Sequence, residues 1–212
     1  MARGRFITFE GIEGCGKTTQ LLLLASHLKH RGVTVVTTRE PGGTPLGERV
    51  RKVLLDPQLS PRPLVELFLL EAARAQLVAD VIAPALESGK FVLSDRFADS
   101  SLAYQGGARR LPPATVQYLN ELACAGVVPD RTLIFDLDVE LALGRARERP
   151  STSADNRRFE DEVLAFHRAV AESYRELALA EPARVAIVDA HGTPEEVHER
   201  TLAALAGVLP WR

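Results

Sequence analysis

The sequence predicts an α/β protein, one five-stranded parallel sheet with helices on both faces. Short β-branched and aromatic runs recur along the chain, and long helix-forming stretches separate them. A glycine-rich segment joins the first run to the first helix. Arg5–Phe9 (RFITF) reads as a buried strand, and Lys17–Arg31 as a helix that Gly32 stops before a second strand, Val33–Thr37. Pro45–Leu55 and Pro63–Leu86 both read as helical, divided by the proline-rich hinge 56–63. Lys90–Ser94 is the third strand. A helical excursion follows over 99–126, with breaks expected at Gly106-Gly107 and Pro112-Pro113. Arg131–Asp136 and Arg184–Asp189 complete the sheet. Both insertions leave the carboxyl ends of strands, where open parallel sheets place ligands.

Composition bounds the function. The 212 residues carry 26 basic and 28 acidic side chains, a net charge of −2 with no global footprint for nucleic acid. No apolar stretch approaches the roughly 18–20 residues that span a bilayer, and no secretory leader is visible. Two cysteines, Cys15 and Cys124, make no disulfide framework, so a cytoplasmic location is expected. One domain over 1–212 is expected, without repeats. The basic residues are unusually chosen: 22 arginines and four lysines.

The segment Gly11-Ile12-Glu13-Gly14-Cys15-Gly16-Lys17-Thr18 satisfies G-x-x-x-x-G-K-[ST] between a strand and a helix. Glycines let backbone N–H groups face phosphate oxygens, and the helix N-terminus adds partial positive charge. Lys17 can reach the outer phosphates, and the Thr18 hydroxyl can bind Mg²⁺. Asp95-Arg96, at the end of the third strand, supplies a carboxylate for the metal's water shell and a guanidinium for a phosphate. The interval 145–158 holds five arginines around the non-helical Pro150–Asn156. A mobile arginine-rich flap of this kind suits phosphoryl transfer, bringing positive charge as it closes.

These residues are not alone. Phe9–Thr19, Thr38-Arg-Glu-Pro-Gly-Gly-Thr44, Asp95-Arg-Phe97 and Ser100-Ser-Leu-Ala-Tyr-Gln-Gly-Gly107 resemble, in order and spacing, the signature segments of bacterial thymidylate kinases. These are P-loop nucleoside monophosphate kinases, and the resemblance runs over essentially the whole chain. It implies transfer of the γ-phosphoryl of ATP to dTMP with Mg²⁺, on the route to dTTP, by a homodimer. The loop 11–19, with Thr19, would hold ATP, and Arg145 would stack on adenine. Arg39 and Arg96 would hold the acceptor phosphate, Phe68 would stack on thymine, and Arg74 would bond its exocyclic oxygen. Ser101, Tyr104 and Gln105 would line the base and sugar, Asp95 would serve the metal beside Thr18, and Glu13 would meet the 3′-hydroxyl. A lid over about 145–160 would bring Arg149 and Arg158 to the two phosphates, and loss of either is expected to lower turnover. Eukaryotic relatives carry an arginine where this chain has Gly14, so the lid arginines would supply that charge here. At 157–160, Arg-Arg-Phe-Glu stands where the family more often has D-R-[IF]-E, so either Arg157 or Arg158 could be the working residue.

By pattern alone, Phe68 continues the apolar stripe of Leu64 and Leu67 and reads as core. The five histidines lack zinc spacing. Cys15, at a helix N-terminus in a cationic loop, is expected to react with thiol reagents, and Cys124 to be a buried packing residue. Two other functions fit the phosphate loop: a kinase for dUMP or a deoxynucleoside, and an ATP-gated binding module without transfer.

Overall fold

The computed structural model describes residues 3–148, 159 and 162–209. Five parallel strands form one sheet in the order β2-β3-β1-β4-β5. They are β1 (Phe6–Glu10), β2 (Val35–Arg39), β3 (Phe91–Asp95), β4 (Arg131–Asp136) and β5 (Val185–Asp189). Burial on both faces explains why β1 and β3 read as continuous apolar runs. Ile7 and Phe9 pack with Leu21, Leu24 and Leu28 of α1 (Lys17–His30). Their alternates follow the period of two: Phe6 and Val92 pack with Leu77, Val78, Ile82 and Leu86.

Three strands sit later than their apolar runs suggest, β3 by the one residue that brings Asp95 into it. β2 begins at Val35, because pairing with β3 matches Val35 to Phe91 and carries Arg39 opposite Asp95. β1 extends to Glu10, which β4 pairs through Ile134. These shifts deliver charged residues to the carboxyl edge.

Helix α2 (Pro45–Leu55) has the expected limits, since the Thr44 side chain accepts from Gly47 N and Pro45 opens the first turn. The expected Pro63–Leu86 helix is three pieces: α3 (Pro63–Leu77), a π-helical stretch Val78–Ile82 and α4 (Ala83–Glu87). Pro84 has no N–H and its ring crowds the carbonyl four residues earlier, which accounts for the widening. After β3, α5 (Ala98–Ser101) runs into a second π-helical stretch, Leu102–Ala108, before α6 (Pro113–Cys124). Gly106-Gly107 therefore lies within a helical piece, and only the proline pair marks a break. A Cβ on Gly107 would stand 2.0 Å from Ser173 Oγ, so this glycine allows the π-helical stretch to lie against α8 (Leu164–Ala180). Helices α7 (Val139–Glu148) and α9 (Pro194–Ala204) complete the described elements, α9 starting on a Thr193–Glu196 capping box.

Candidate active site

The order β3-β1-β4 places the loop after β1 beside Asp95, so the two strongest motifs share one cleft of about 620 Å³ at the carboxyl edge. Gly16, in the left-handed region at φ 98°, precedes α1 and offers no side-chain cap, and the first turn holds no acidic residue. The amides opening α1 are thus left for an anion. Lys17 Nζ lies back across the loop and donates to Gly11 O (3.0 Å) and Ile12 O (2.7 Å). Thr18 Oγ1 donates to Asp95 Oδ2 at 2.5 Å. Hydroxyl and carboxylate oxygens converging beside the phosphate loop form a hard donor set that fits Mg²⁺. Gly14 has φ 81°, and a Cβ there would meet Ala142 O of α7 at 1.8 Å.

Arg96 lines the same cleft. Its backbone is itself left-handed, φ 73°, a conformation that costs a non-glycine residue energy and that surrounding bonds must hold. Nη2 donates to Glu13 Oε1 (2.8 Å) and the Tyr104 hydroxyl (2.9 Å), and the guanidinium lies 4.8 Å from the Tyr104 ring centroid. Burial alone would raise the Glu13 carboxyl, but Arg96, His167 and Lys17 together hold it well below the usual carboxylate range. Tyr104 also donates to Glu13, at 2.8 Å. Glu13, Tyr104 and Arg96 therefore meet as one bonded group on the cleft wall.

Arg39 lines the same cleft and pairs with Glu48 at 3.0 Å. Arg51, which sequence reasoning missed, joins it on the cleft wall and donates to Pro41 O at 3.1 Å. Burial lowers its pKa, and the guanidinium of Arg39 lowers it further, with Arg96 adding to the same repulsion. Three guanidinium groups thus create a cationic site that an anion relieves. The spacing of Arg51 one turn along α2 from Glu48 was the only sequence signal for it.

The far end of the cleft departs from expectation. Phe68 is 51% exposed and does not line the cleft; Leu70 does. Six residues along an α-helix turn a side chain by about 240° from the start, whereas four return it close to the same face. Phe68 and Arg74 therefore point apart, and Leu70 shares the Arg74 side of α3. Nor is Phe68 core, as its pattern suggested.

Arg74 is buried behind the wall rather than on it. Nε donates to Glu40 (2.9 Å), Nη1 to Glu71 (2.6 Å) and Asn120 (2.6 Å), and Nη2 to Phe97 O (3.2 Å). A base contact would require it to give up one of these, so here it serves as scaffold. Ser101 is likewise inside, donating to Glu71 at 2.9 Å, and its neighbour Ser100 faces the cleft instead. Gln105 does reach the wall, with Nε2 donating to Glu66 at 2.9 Å. Among the described residues, Glu40 Oε1, Gln105 Oε1 and Thr38 Oγ1 are buried without a hydrogen-bond partner, and all three residues line the cleft. Orphaned oxygens at one end of a cavity are the signature of a polar ligand's seat.

Arg145 lies half-buried in the last turn of α7, away from the cleft lining. Arg149, Arg157, Arg158 and most of the expected lid lie outside the described residues. Cys15 is 1% exposed and packs with Ile7 and Phe9, which removes the exposure its expected thiol chemistry needs. Cys124 is buried, and burial pushes its thiol up to about 12.

Comparisons with known proteins identify the family to which this chain is similar. A family model described as "Thymidylate kinase" matches residues 9–201. A thymidylate kinase of Pelobacter propionicus is 51% identical over 203 residues, 94% of this chain and 93% of the relative. One of Geotalea uraniireducens is 49% identical over 209 residues, 97% of each chain. Among solved structures, the thymidylate kinase of Ehrlichia chaffeensis superposes with a TM-score of 0.77 at 34% identity, covering 96% of this chain and 99% of that one.

Proposed function

The chain belongs to the thymidylate kinase family, and from that membership we propose how its cleft divides the work of one phosphoryl transfer. The protein is an ATP-dependent nucleoside monophosphate kinase that phosphorylates dTMP, giving dTDP and ADP. The observation that carries the assignment of roles is the shared cleft. The phosphate loop, with Thr18 bonded to Asp95, forms one end, and the Arg39, Arg51 and Arg96 cluster faces it.

In this reading the loop amides and the opening turn of α1 bind the ATP phosphates. Lys17 exchanges its two backbone carbonyls for phosphate oxygens. Thr18 and Asp95 would hold Mg²⁺, which would supply positive charge beside the transferring phosphoryl group. Arg96, Arg39 and Arg51 bind the acceptor phosphate, whose oxygen is already a competent nucleophile, so no general base is required. Catalysis then rests on in-line positioning and charge stabilisation. Arg149 and Arg158 supply further charge from the lid. Leu70, Tyr104, Gln105 and Glu40 wall the base and sugar, with Arg74 and Ser101 holding Glu40 and Glu71 behind them. Glu13, fixed by Arg96 and Tyr104, faces the sugar hydroxyl.

We further propose a cytoplasmic homodimer. Leu46, Val53, Leu64, Val65, Phe68, Tyr118 and Leu122 are exposed on α2, α3 and α6, three helices packed side by side. That apolar face supports a self-association surface and gives Phe68 a use. Among the described residues no helix is long and apolar enough to cross a membrane.

Measuring ADP release with dTMP, dUMP, dCMP, dGMP and dAMP as acceptors tests the assignment. Transfer confined to dTMP is expected. ATP binding without acceptor-dependent ADP release would instead indicate a binding module.

A further inference from the structure

Behind the cleft lies a carboxylate that the roles above do not use. Glu10, the last residue of β1, is 0% exposed and cannot touch a ligand. Its Oε2 accepts from the Ser100 hydroxyl (2.6 Å) and the Tyr174 hydroxyl (2.7 Å). The same two hydroxyl oxygens accept from Arg96 Nη1, at 3.2 Å and 3.3 Å. Its Oε1 accepts from Phe97 N at 2.7 Å. That amide follows directly on the left-handed residue, whose own N donates to Phe9 O (3.0 Å) and whose carbonyl accepts from Ser94 Oγ (2.7 Å).

We infer that Glu10, acting through the hydroxyls of Tyr174 and Ser100, is the positioning residue that holds the Arg96 guanidinium at the acceptor phosphate. At pH 8, above the value of about 7 to which burial raises it, Glu10 is ionised and only accepts hydrogen bonds, so it fixes both hydroxyl protons toward itself and turns their lone pairs toward Arg96. The guanidinium is thereby held on one edge by this pair and on the other by Glu13 and Tyr104. An arginine held in advance loses less rotamer freedom when phosphate arrives. Because Glu10 also pins the Phe97 amide, one side chain sets both the backbone turn and the head group of Arg96. Tyr174, from α8, makes the point most directly. It is 1% exposed, and phenylalanine would fill the same space, so its hydroxyl is what the arrangement uses.

This inference rests on Arg96 binding the acceptor phosphate, and the test separates the two. Calorimetric Kd and steady-state KM for dTMP and for ATP are measured at pH 8 on Tyr174→Phe, Ser100→Ala, Arg96→Ala and the Tyr174→Phe/Arg96→Ala double variant. Tyr174→Phe is expected to weaken dTMP binding about tenfold, the scale of one hydrogen bond to a charged group, with Ser100→Ala similar. Binding of ATP and Tm should hold, and Tyr174→Phe should add little in the Arg96→Ala background. Unchanged dTMP affinity in both single hydroxyl variants overturns the inference. So does an equal penalty with and without Arg96, or a parallel loss of dTMP and ATP binding with a fallen Tm. If Arg96→Ala itself binds dTMP normally, the phosphate-binding role of Arg96 fails and the inference falls with it.

Discussion

Thr18 and Asp95, 77 positions apart in sequence, meet with 2.5 Å between Oγ1 and Oδ2. The contact follows from sheet order, since β3 lies beside β1 with Phe9 matched to Asp95. A hydroxyl from the phosphate loop and a carboxylate from the neighbouring strand then occupy one point. Asp95→Asn keeps the size of the side chain and removes its charge. We expect turnover to fall roughly 10²-fold and the Mg²⁺ concentration for half-maximal rate to rise, with metal-free ATP binding little altered. Titrating activity against Mg²⁺ checks this; an unchanged metal requirement would remove Asp95 from the metal site.

Phe68 and Leu70 separate cleanly by substitution. Phe68→Ala should leave KM for dTMP within about twofold while weakening self-association in sedimentation experiments. Leu70→Ala should raise KM for dTMP about tenfold, the scale of burying one aliphatic side chain. A reversed pattern would restore Phe68 as the base-contacting residue.

Arg74→Ala tests the buried scaffold. The substitution strands Glu40 and Glu71, both buried, without their cation. A loss of about 3–5 kcal/mol in unfolding free energy is expected, because an uncompensated buried charge costs far more than an intact pair contributes. Denaturant titration measures it, and a loss below about 1 kcal/mol would contradict the scaffold role.

The pH dependence of stability should carry the mark of Glu10. Burial, with Asp99 adding repulsion, raises its pKa from 4.5 to about 7. Between these values the folded chain holds a proton that the unfolded chain releases, so stability falls as pH rises through this window and levels off above about 7. One such group has a limiting slope of about 1.4 kcal/mol per pH unit. Glu13 acts with the opposite sign, since its carboxyl is held low and its contribution is lost only in stronger acid. Unfolding curves from pH 5 to 8 should show a shallower fall for Glu10→Gln than for the unsubstituted protein. Parallel profiles would show that Glu10 does not titrate there.

Features written in local chemistry are legible in the sequence itself. Thr44 and Pro45 set the start of α2, and the run Arg131–Asp136 is β4 residue for residue. The phosphate loop is equally plain, because its glycines, Lys17 and Thr18 are contiguous. Features set by pairing or rotation are not. The apolar run Val33–Thr37 does not reveal that β3 draws the strand on to Arg39. No residue preference announces a π-helical stretch, so the sequence points to Tyr104 and Gln105 while hiding the backbone that carries them. The Phe68–Arg74 pairing is hidden for a rotational reason: residues six apart do not share a face of α3, and it is Leu70, four before Arg74, that lines the cleft. Glu10 escapes notice because a carboxylate inside an apolar strand has no meaning until Tyr174, 164 positions away, lies against it.

The tight approach of Gly14 to the Ala142 carbonyl couples the phosphate loop to α7. Any side chain at that position has no room unless α7 is displaced. Loop and helix are in this sense one unit, and neither can be redesigned without the other.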